Sequence, residues 1–276
     1  MKLADRSIVI TGAASGIGRA LALRFARERP RGLVLADLPA NRAALEALAA
    51  QLERGAGEDE PAVAAIAVAA DVGVETEVRA LVAAADARFG HVDVFCSNAG
   101  VIRDGSEHAP DADWDLSWRV HVMAHVYAAR AVVPGMRERG SGYLLNTASA
   151  AGLLTSLPSA TYAVTKHAAV AFGEWLSIQH GAAGVRVSVL CPQAVETPMI
   201  QGRAGAAAAA NDGVIAASVL ADCVVEGMDA ESFLILPHPQ VATYFRRKGE
   251  DYDRWLGGMR RFAQRLGASP DAGRDD

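Results

Sequence analysis

Short apolar runs recur along the chain, and longer segments with polar interruptions separate them. Runs of this length that are rich in β-branched residues and alternate with helix-length segments are typical of strands in a parallel sheet. We therefore predict seven strands, over residues 7–10, 33–36, 64–69, 92–97, 143–147, 185–191 and 233–236.

The intervening segments have helical length, and most carry apolar residues three and four positions apart, which is the spacing of one helix face. Helices are predicted over 19–29, 42–54, 75–89, 114–139 and 162–180. The pattern predicts an α/β fold of three layers, with a seven-stranded parallel sheet covered by helices on both faces. A chain of 276 residues with 51% hydrophobic residues suffices for one large core. We expect one domain over 1–250, followed by a C-terminal helix and flexible tail over 251–276.

Two segments lack this regular pattern. Residues 53–61 are polar and contain glycine, which predicts an exposed loop between the second helix and the third strand. Residues 193–217 are rich in glycine and alanine and follow the sixth strand, near the strand ends where such sheets bind ligands. We therefore expect residues 193–217 to form a mobile substrate lid, and the polar end, residues 269–276, to be disordered.

Charge and cysteine content exclude several classes of function. Lysine and arginine number 27 against 32 acidic residues, a net charge of −5, so no basic field favours a nucleic acid or an anionic membrane. The three cysteines lack the close spacing of metal sites or disulfide scaffolds. The N-terminus does not resemble a signal peptide, and the apolar stretch 206–225 is interrupted by polar residues. We expect a soluble, cytoplasmic protein without a metal site.

A glycine-rich turn over residues 11–18 follows the first strand and opens the first helix. Glycines there permit a tight turn and a close approach of the backbone to a pyrophosphate, whose charge the helix N-terminus stabilises. Taken alone, such a turn is equally compatible with a merely structural strand-to-helix connection. As a nucleotide site, it predicts a Rossmann-like fold whose cofactor contacts Gly12, Ser15, Gly16, Ile17 and Gly18.

Asp37 ends the second strand about 20 residues after Gly18, at the spacing of the acidic residue that binds a ribose in dinucleotide sites. Its carboxylate would accept hydrogen bonds from the ribose hydroxyls of adenosine and would repel a 2′-phosphate. Neither Leu38 nor Pro39 supplies a compensating cation, so NAD is favoured over NADP. The alternative is a solvated aspartate at a strand end.

Together with further motifs, the chain resembles the short-chain dehydrogenase/reductase family over nearly its whole length. Residues 11–18 match the family's TGxxxGxG turn, Ser149 ends the fifth strand, and Tyr162 and Lys166 match its YxxxK signature. Residues 192–197 resemble the family's PGxxxT, with Gln193 in place of the glycine. The remaining matches lie where the family contacts the cofactor or supports the sheet beside it: Leu38, Asp71, Val72, Asn98, Ala99, Gly100, Pro192, Val195 and Thr197.

The chemistry of this family gives Tyr162 the proton transfer. Tyr162 and Lys166 are four positions apart and so share one helix face. A tyrosine with an ordinary pKa near 10 would be only about a thousandth ionised at neutral pH, so activation is required. We expect Lys166, together with an oxidised nicotinamide, to lower the pKa of Tyr162 by about two units, or roughly 2.7 kcal/mol. Ser149 would hydrogen-bond the substrate oxygen and orient it.

The resemblance also assigns cofactor contacts to residues of the same region. Lys166 is expected to bind the nicotinamide ribose, Thr197 the nicotinamide carboxamide, and Val195 to contribute its backbone. One position departs from the family: where its members usually carry an asparagine that seats a water of the proton relay, this chain carries His121. A histidine there either relays protons directly or is a helix residue satisfied by a neighbour, and the sequence leaves both readings open.

The resemblance implies an oxidoreductase that interconverts a secondary alcohol and a ketone by hydride transfer to or from NAD. The rival hypothesis is a non-catalytic NAD-binding sensor or scaffold, against which the intact Ser149, Tyr162 and Lys166 argue. Met199 and Ile200 in the lid indicate an apolar substrate, and a cyclic one is compatible with them. The small residues of 163–171 fit the family's helix-pair interface and predict a homodimer or homotetramer. The basic amphipathic stretch 254–262 is compatible with membrane binding, a subunit contact or a place over the active site.

Overall fold

The computed structural model describes residues 1–55, 61–202 and 209–267. A parallel sheet of seven strands forms its centre, in the order β3-β2-β1-β4-β5-β6-β9. The strands of this sheet are β1 (Ser7–Thr11), β2 (Gly32–Asp37), β3 (Ala65–Ala69), β4 (Val94–Ser97), β5 (Gly142–Thr147), β6 (Val185–Leu190) and β9 (Leu234–Ile235). All seven predicted strands are therefore confirmed, with ends that differ by at most two residues.

The order of the strands indicates where the ligand-binding crevice lies. β1 pairs in parallel with β2 on one side and with β4 on the other, so the chain reverses its direction of winding at β1. In open α/β sheets, the crevice at such a reversal lies beyond the carboxyl ends of the strands and is where ligands bind. The glycine turn after Thr11 and the segment after Ser97 both leave the sheet at this edge.

Nine helices in the described part of the chain surround the sheet. They are α1 (Gly16–Ala26), α2 (Arg42–Arg54), α3 (Glu75–Phe89), α4 (Asp111–Trp118), α5 (Ala124–Arg139), α6 (Ala160–His180), α7 (Ala217–Asp229), α8 (Gln240–Glu250) and α9 (Tyr252–Arg265). None of these described helices is long and apolar enough to cross a membrane.

The two faces of the sheet build separate cores. Along β1, Ile8 and Ile10 pack with side chains from α1, α2 and α7, whereas Val9 packs with side chains from α3, α5 and α6. Successive residues of a strand point to opposite faces, so a continuous apolar run serves both cores at once. This arrangement confirms the predicted three-layer, Rossmann-like α/β fold.

The predicted helix over 114–139 is interrupted. The chain forms α4, then one π-helical turn over Arg119–Met123, and then α5. The sequence pattern does not mark the extra residue in the wide turn. Single π turns inside helices often occur at functional sites, and this one carries His121.

The segment predicted as a lid contains two short strands, β7 (Val195–Glu196) and β8 (Ile215–Ala216), which pair in parallel. Residues 203–208 of the lid lie outside the described residues, as do 56–60 of the predicted loop and 268–276 of the predicted tail. Mobility of the lid remains a prediction. Helices α7 and α8 were not predicted, because α7 continues the alanine-rich segment and α8 has a short, largely polar sequence.

Candidate active site

A cavity of about 1050 Å³ opens at the carboxyl ends of the strands. Of the residues predicted for the site, all but Gly18 and His121 line it. Its lining runs from the glycine turn and the end of β2, past the ends of β4 and β5, to Tyr162 on α6. The fold thus brings together side chains that the sequence spreads over more than half of the chain.

The glycine turn is built for close backbone packing. Gly12 and Gly16 have φ of +67° and +51°, which L side chains rarely adopt. A Cβ on Gly18 would lie 2.1 Å from the Gly12 carbonyl oxygen, so Gly18 acts behind the cavity wall by letting α1 approach the turn. Ser15 precedes α1 without a side-chain cap, and the first N–H groups of the helix therefore remain available to an anion.

Asp37 is held rigidly at the end of β2. One carboxylate oxygen accepts from the Ala14 N–H at 3.0 Å, and the other accepts from the Leu38 N–H and the Asn41 amide, both at 2.8 Å. A carboxylate offers about four acceptor positions, so these three bonds orient it and leave acceptor capacity toward the cavity. The nearest following cation, Arg42, extends toward Glu46 at 3.8 Å.

Asn98 connects three strands under the centre of the cavity. Its amide nitrogen donates to the Thr11 carbonyl at 3.0 Å, and its amide oxygen accepts from the Thr147 hydroxyl at 3.2 Å. Ala99 and Gly100 follow it along the cavity wall.

Asp71 is fixed by accepting from the Gly73 N–H at 2.8 Å, and it lines the cavity together with Val72.

Tyr162, Ser149 and Lys166 meet at the end of the cavity opposite Asp37. Helix α6 begins at Ala160 because the Ser159 hydroxyl caps it, accepting from the Tyr162 N–H at 3.0 Å. Lys166 is buried, and its ammonium donates to the Thr147 carbonyl at 2.9 Å and lies 5.5 Å from the centre of the Tyr162 ring. The Ser149 hydroxyl donates to the Pro192 carbonyl at 3.3 Å.

Burial controls the titration of this group of residues. It raises the pKa of the Tyr162 phenol, while the hydrogen bond from Ser149 acts in the opposite direction. It also lowers the pKa of Lys166 to about 8, since the ammonium loses its hydration. The protein alone therefore does not show the lowered pKa expected for Tyr162, because desolvation of the phenol outweighs the hydrogen bond with Ser149.

His121 lies behind the cavity wall and is fully buried. Its Nε2 accepts from the Val101 N–H at 3.1 Å, which leaves the ring proton on Nδ1. Nδ1 then donates to the Thr165 hydroxyl at 2.8 Å, and that hydroxyl donates to the Thr161 carbonyl at 2.7 Å. Burial, with the charge of Lys166, holds the pKa of His121 well below its usual range. The geometry thus favours a neutral, fixed ring over direct proton relay.

Gln193, which stands where the family has a glycine, lines the cavity and is held by hydrogen bonds. Its amide nitrogen donates to Asp212 at 2.9 Å, and its backbone N–H donates to the His238 ring at 3.2 Å. Asp212 also accepts from the Tyr244 hydroxyl at 2.9 Å. The side chain therefore ties the start of the lid to Asp212 near its end and, through Asp212, to Tyr244 of α8, a connection that sequence spacing does not reveal.

Sequence reasoning also left open the place of the C-terminal helices. Residues of α8 and α9, among them Arg254, Trp255 and Met259, line the cavity beside Leu154 and Met199. Of the three interpretations of 254–262, the fold favours a position over the active site. The amphipathic pattern was the available signal, but it did not identify the surface against which the helix packs.

Comparison with known proteins agrees with this geometry. The family model described as short chain dehydrogenase matches residues 6–206. A curated relative, 1-deoxy-11-beta-hydroxypentalenate dehydrogenase from Streptomyces exfoliatus, is 37% identical over 256 residues, which cover 91% of this chain and 90% of the relative. Levodione reductase from Leifsonia aquatica is 33% identical over 202 residues, covering 72% of this chain and 73% of the reductase.

Solved structures give the same result. A short-chain dehydrogenase/reductase from Burkholderia phymatum in complex with NAD is 30% identical, with a TM-score of 0.81, and the match covers 92% of this chain and 96% of that one. A short-chain dehydrogenase from Sphingobium yanoikuyae in complex with NADPH is 26% identical, with a TM-score of 0.75 and 98% of each chain covered. The chain belongs to the short-chain dehydrogenase/reductase family, enzymes that oxidise or reduce at CH–OH groups.

Proposed function

We propose that this protein interconverts a secondary alcohol and a ketone using NAD, with Tyr162 as the proton-transfer residue. The observation that carries the proposal is a single cavity with a dinucleotide cradle at one end and Ser149, Tyr162 and Lys166 at the other. A cavity of this kind aligns a cofactor with a substrate oxygen, which is what hydride transfer requires.

The residues present fit a nicotinamide dinucleotide. A Cβ on Gly12 would lie 2.9 Å from the Ala99 Cα, and one on Gly16 would lie 3.1 Å from Thr197, so neither position accepts a side chain without a shift of its neighbours. The uncapped N-terminus of α1 suits the pyrophosphate, Asp37 suits the adenosine ribose, and Thr197 suits the nicotinamide carboxamide. When bound, such a cofactor would accept or supply the hydride.

The chain's own residues handle the proton and the orientation. Tyr162 would exchange a proton between its hydroxyl and the substrate oxygen, while Ser149 hydrogen-bonds that oxygen and fixes its position. Lys166 holds a charge near the phenol, because its ammonium is fixed by the Thr147 carbonyl. The neutral ring of His121 packs edge-on against Tyr162, at 5.4 Å between ring centres, and so positions it.

NAD preference rests on Asp37. Its fixed carboxylate would accept from ribose hydroxyls and repel a 2′-phosphate, and Leu38, which is largely exposed beside it, offers no cation. Structural neighbours are bound to NAD in one case and to NADPH in another. The cofactor preference is therefore inferred from this chain's own residues. Comparing kcat/KM for NAD and NADP in the wild type and in Asp37→Ala tests it, and equal wild-type efficiencies would contradict it.

An apolar alcohol or ketone fits the cavity best. Leu154, Met199, Trp255 and Phe262 line its open end, where the substrate would lie against Tyr162. Relatives are named as dehydrogenases of a hydroxypentalenate and reductases of levodione, which supports a small-molecule substrate. The three free cysteines of the described chain suit the reducing cytoplasm expected from the sequence.

Turnover separates this enzyme from the rival NAD-binding sensor or scaffold. A panel of secondary alcohols with NAD, followed by NADH absorbance, should show activity in the wild type. Tyr162→Phe should remove turnover while NADH still binds, since only the proton-transfer group is lost. Binding of NADH without turnover in the wild type would favour the sensor instead.

We also propose that the protein assembles as a homodimer or homotetramer through α6. Val164, Trp175 and Ile178 on that helix are exposed, Ile178 at 77% of its surface. Large apolar side chains grouped on one helix are typical of a subunit contact. Light scattering should give a multiple of the 28.8 kDa chain mass, and Ile178→Glu should reduce it.

A further inference from the structure

Helices α8 and α9 form a hairpin over the end of the cavity that holds Tyr162. Trp255 and Met259 of α9 line the main cavity, and they also line a second groove together with Ala163 of α6. This shared lining places the hairpin beside the start of α6, at the substrate end, and away from the glycine turn.

A buried lysine fixes the hairpin there. The Lys248 ammonium donates to the Leu153 and Leu154 carbonyls, at 2.8 and 3.0 Å, in the loop that follows Ser149. It also lies 4.8 Å from the centre of the Trp255 ring, within the range of a cation–π contact. A charge buried in this way must be well satisfied, because its desolvation is costly. The hairpin is thus anchored to the catalytic loop.

The face of α9 toward the cavity is both apolar and basic. Trp255, Met259 and Phe262 supply its apolar stripe, and Arg254 and Arg261 lie beside them on the cavity wall. The three apolar side chains are only partly buried, so the hairpin does not use them to complete the core. They offer contact area to an apolar ligand.

The arginines of this face have no acidic partner within the described chain. Arg247, Arg254, Arg261 and Arg265 line the cavity, whereas the ion pairs of the described residues use other arginines. Since the whole protein is acidic, at a net charge of −5, this basic group is a local feature.

Arg261 lies beside two glycines of its own helix. A Cβ on Gly257 or Gly258 would meet the Arg261 guanidinium at 3.6 or 3.9 Å, which is ordinary van der Waals contact. The guanidinium is therefore exposed beside a stretch of helix that carries no side chains, where a ligand can reach it.

We propose that Arg254 and Arg261 bind a carboxylate on an otherwise apolar substrate, whose hydrocarbon body packs on Trp255, Met259 and Phe262. The proposal rests on the proposed function and names its substrate class: an apolar hydroxy acid or keto acid. Guanidinium groups match carboxylates with paired hydrogen bonds. Glu250 and Asp251 also line the cavity, and their charges would oppose a dianion more than a monoanion, which favours a carboxylate over a phosphate ester.

A ligand that cannot react tests recognition apart from turnover. Calorimetry with NADH present would compare adamantane-1-carboxylate with its neutral amide, which has the same apolar cage. If each charge-assisted hydrogen bond contributes about 1.5–3 kcal/mol, the carboxylate should bind the wild type about tenfold or more tightly. Arg254→Gln and Arg261→Gln should each reduce that preference several-fold, whereas Arg260→Gln, whose residue does not line the cavity, should leave it unchanged.

Three outcomes would overturn the proposal. In the first, the carboxylate and the amide bind equally well to the wild type. In the second, Arg260→Gln reduces the preference as much as Arg261→Gln does. In the third, the Arg254 and Arg261 variants weaken NADH binding while the preference persists, which would assign the arginines to the cofactor. A fourth outcome would overturn it as well: if the wild type sediments with phosphatidylglycerol vesicles and Arg261→Gln does not, while the preference for the carboxylate is unchanged, the arginines belong to a membrane contact. A wild type that binds the carboxylate selectively but turns over no alcohol would refute the proposed function and leave recognition standing.

Discussion

Replacing His121 distinguishes a positioning role from a proton relay. The ring is buried and uses both nitrogens, Nε2 with the Val101 N–H and Nδ1 with the Thr165 hydroxyl. His121→Leu removes both hydrogen bonds and leaves the Val101 N–H unpaired, which should lower the free energy of unfolding by about 1–3 kcal/mol. His121→Asn can still accept from Val101 through its amide oxygen and should lose about half as much.

Acidification provides a second measure of the same ring. Burial lowers the pKa of His121 in the folded protein, whereas the unfolded chain takes up a proton near pH 6.5. The unfolded state thus binds more protons below that pH, and the free energy of unfolding falls by up to about 1.4 kcal/mol per pH unit through this residue. His121→Asn should lack that part of the dependence between pH 6.5 and 5.

Urea unfolding followed by tryptophan fluorescence measures both effects. His125→Leu is the matched control, because that ring is buried one turn further along and approaches the Ser97 backbone without good hydrogen-bond geometry. It should be less destabilising than His121→Leu at neutral pH. Rates measured from about pH 6 to 10 complete the test: a wild-type group that titrates near neutrality and disappears in His121→Asn would refute the positioning role and restore the relay.

Further expectations follow from other contacts. The pKa of Lys166, lowered to about 8, means that its ammonium is present below that pH and lost above it; the NADH dissociation constant should rise above pH 8, and Lys166→Met should lose that dependence. Lys248→Met removes the anchor of the hairpin and should raise the substrate KM and speed proteolysis of the C-terminal helices, with little change in NADH affinity; equal protease resistance would contradict the anchor. Gly18→Ala should abolish NADH binding or folding, since its Cβ would lie 2.1 Å from the Gly12 carbonyl oxygen. Hydrogen exchange in residues 193–202 should slow when NADH binds, and equal protection with and without it would argue against a lid.

The order of elements could be predicted from the sequence because it depends on local chemistry. Apolar runs and their spacing follow from the geometry of strands and helices, and all seven strands appear where the pattern places them. The glycine turn, Asp37 and the Tyr162–Lys166 pair were also predictable. Each is defined by residues close in sequence, so the spacing alone places it at a strand end or on one helix face.

Long-range packing decided the rest. The neutral state of His121 depends on partners contributed by Val101 and by Thr165, which lie about 20 and 44 positions away in sequence. The raised pKa of Tyr162 comes from burial among elements distant along the chain. The sequence pattern showed the amphipathic face of α9, but only the anchor from Lys248 to the carbonyls after Ser149 places that face over the cavity. Desolvation and hydrogen bonding depend on which surfaces meet, and only the folded chain determines that.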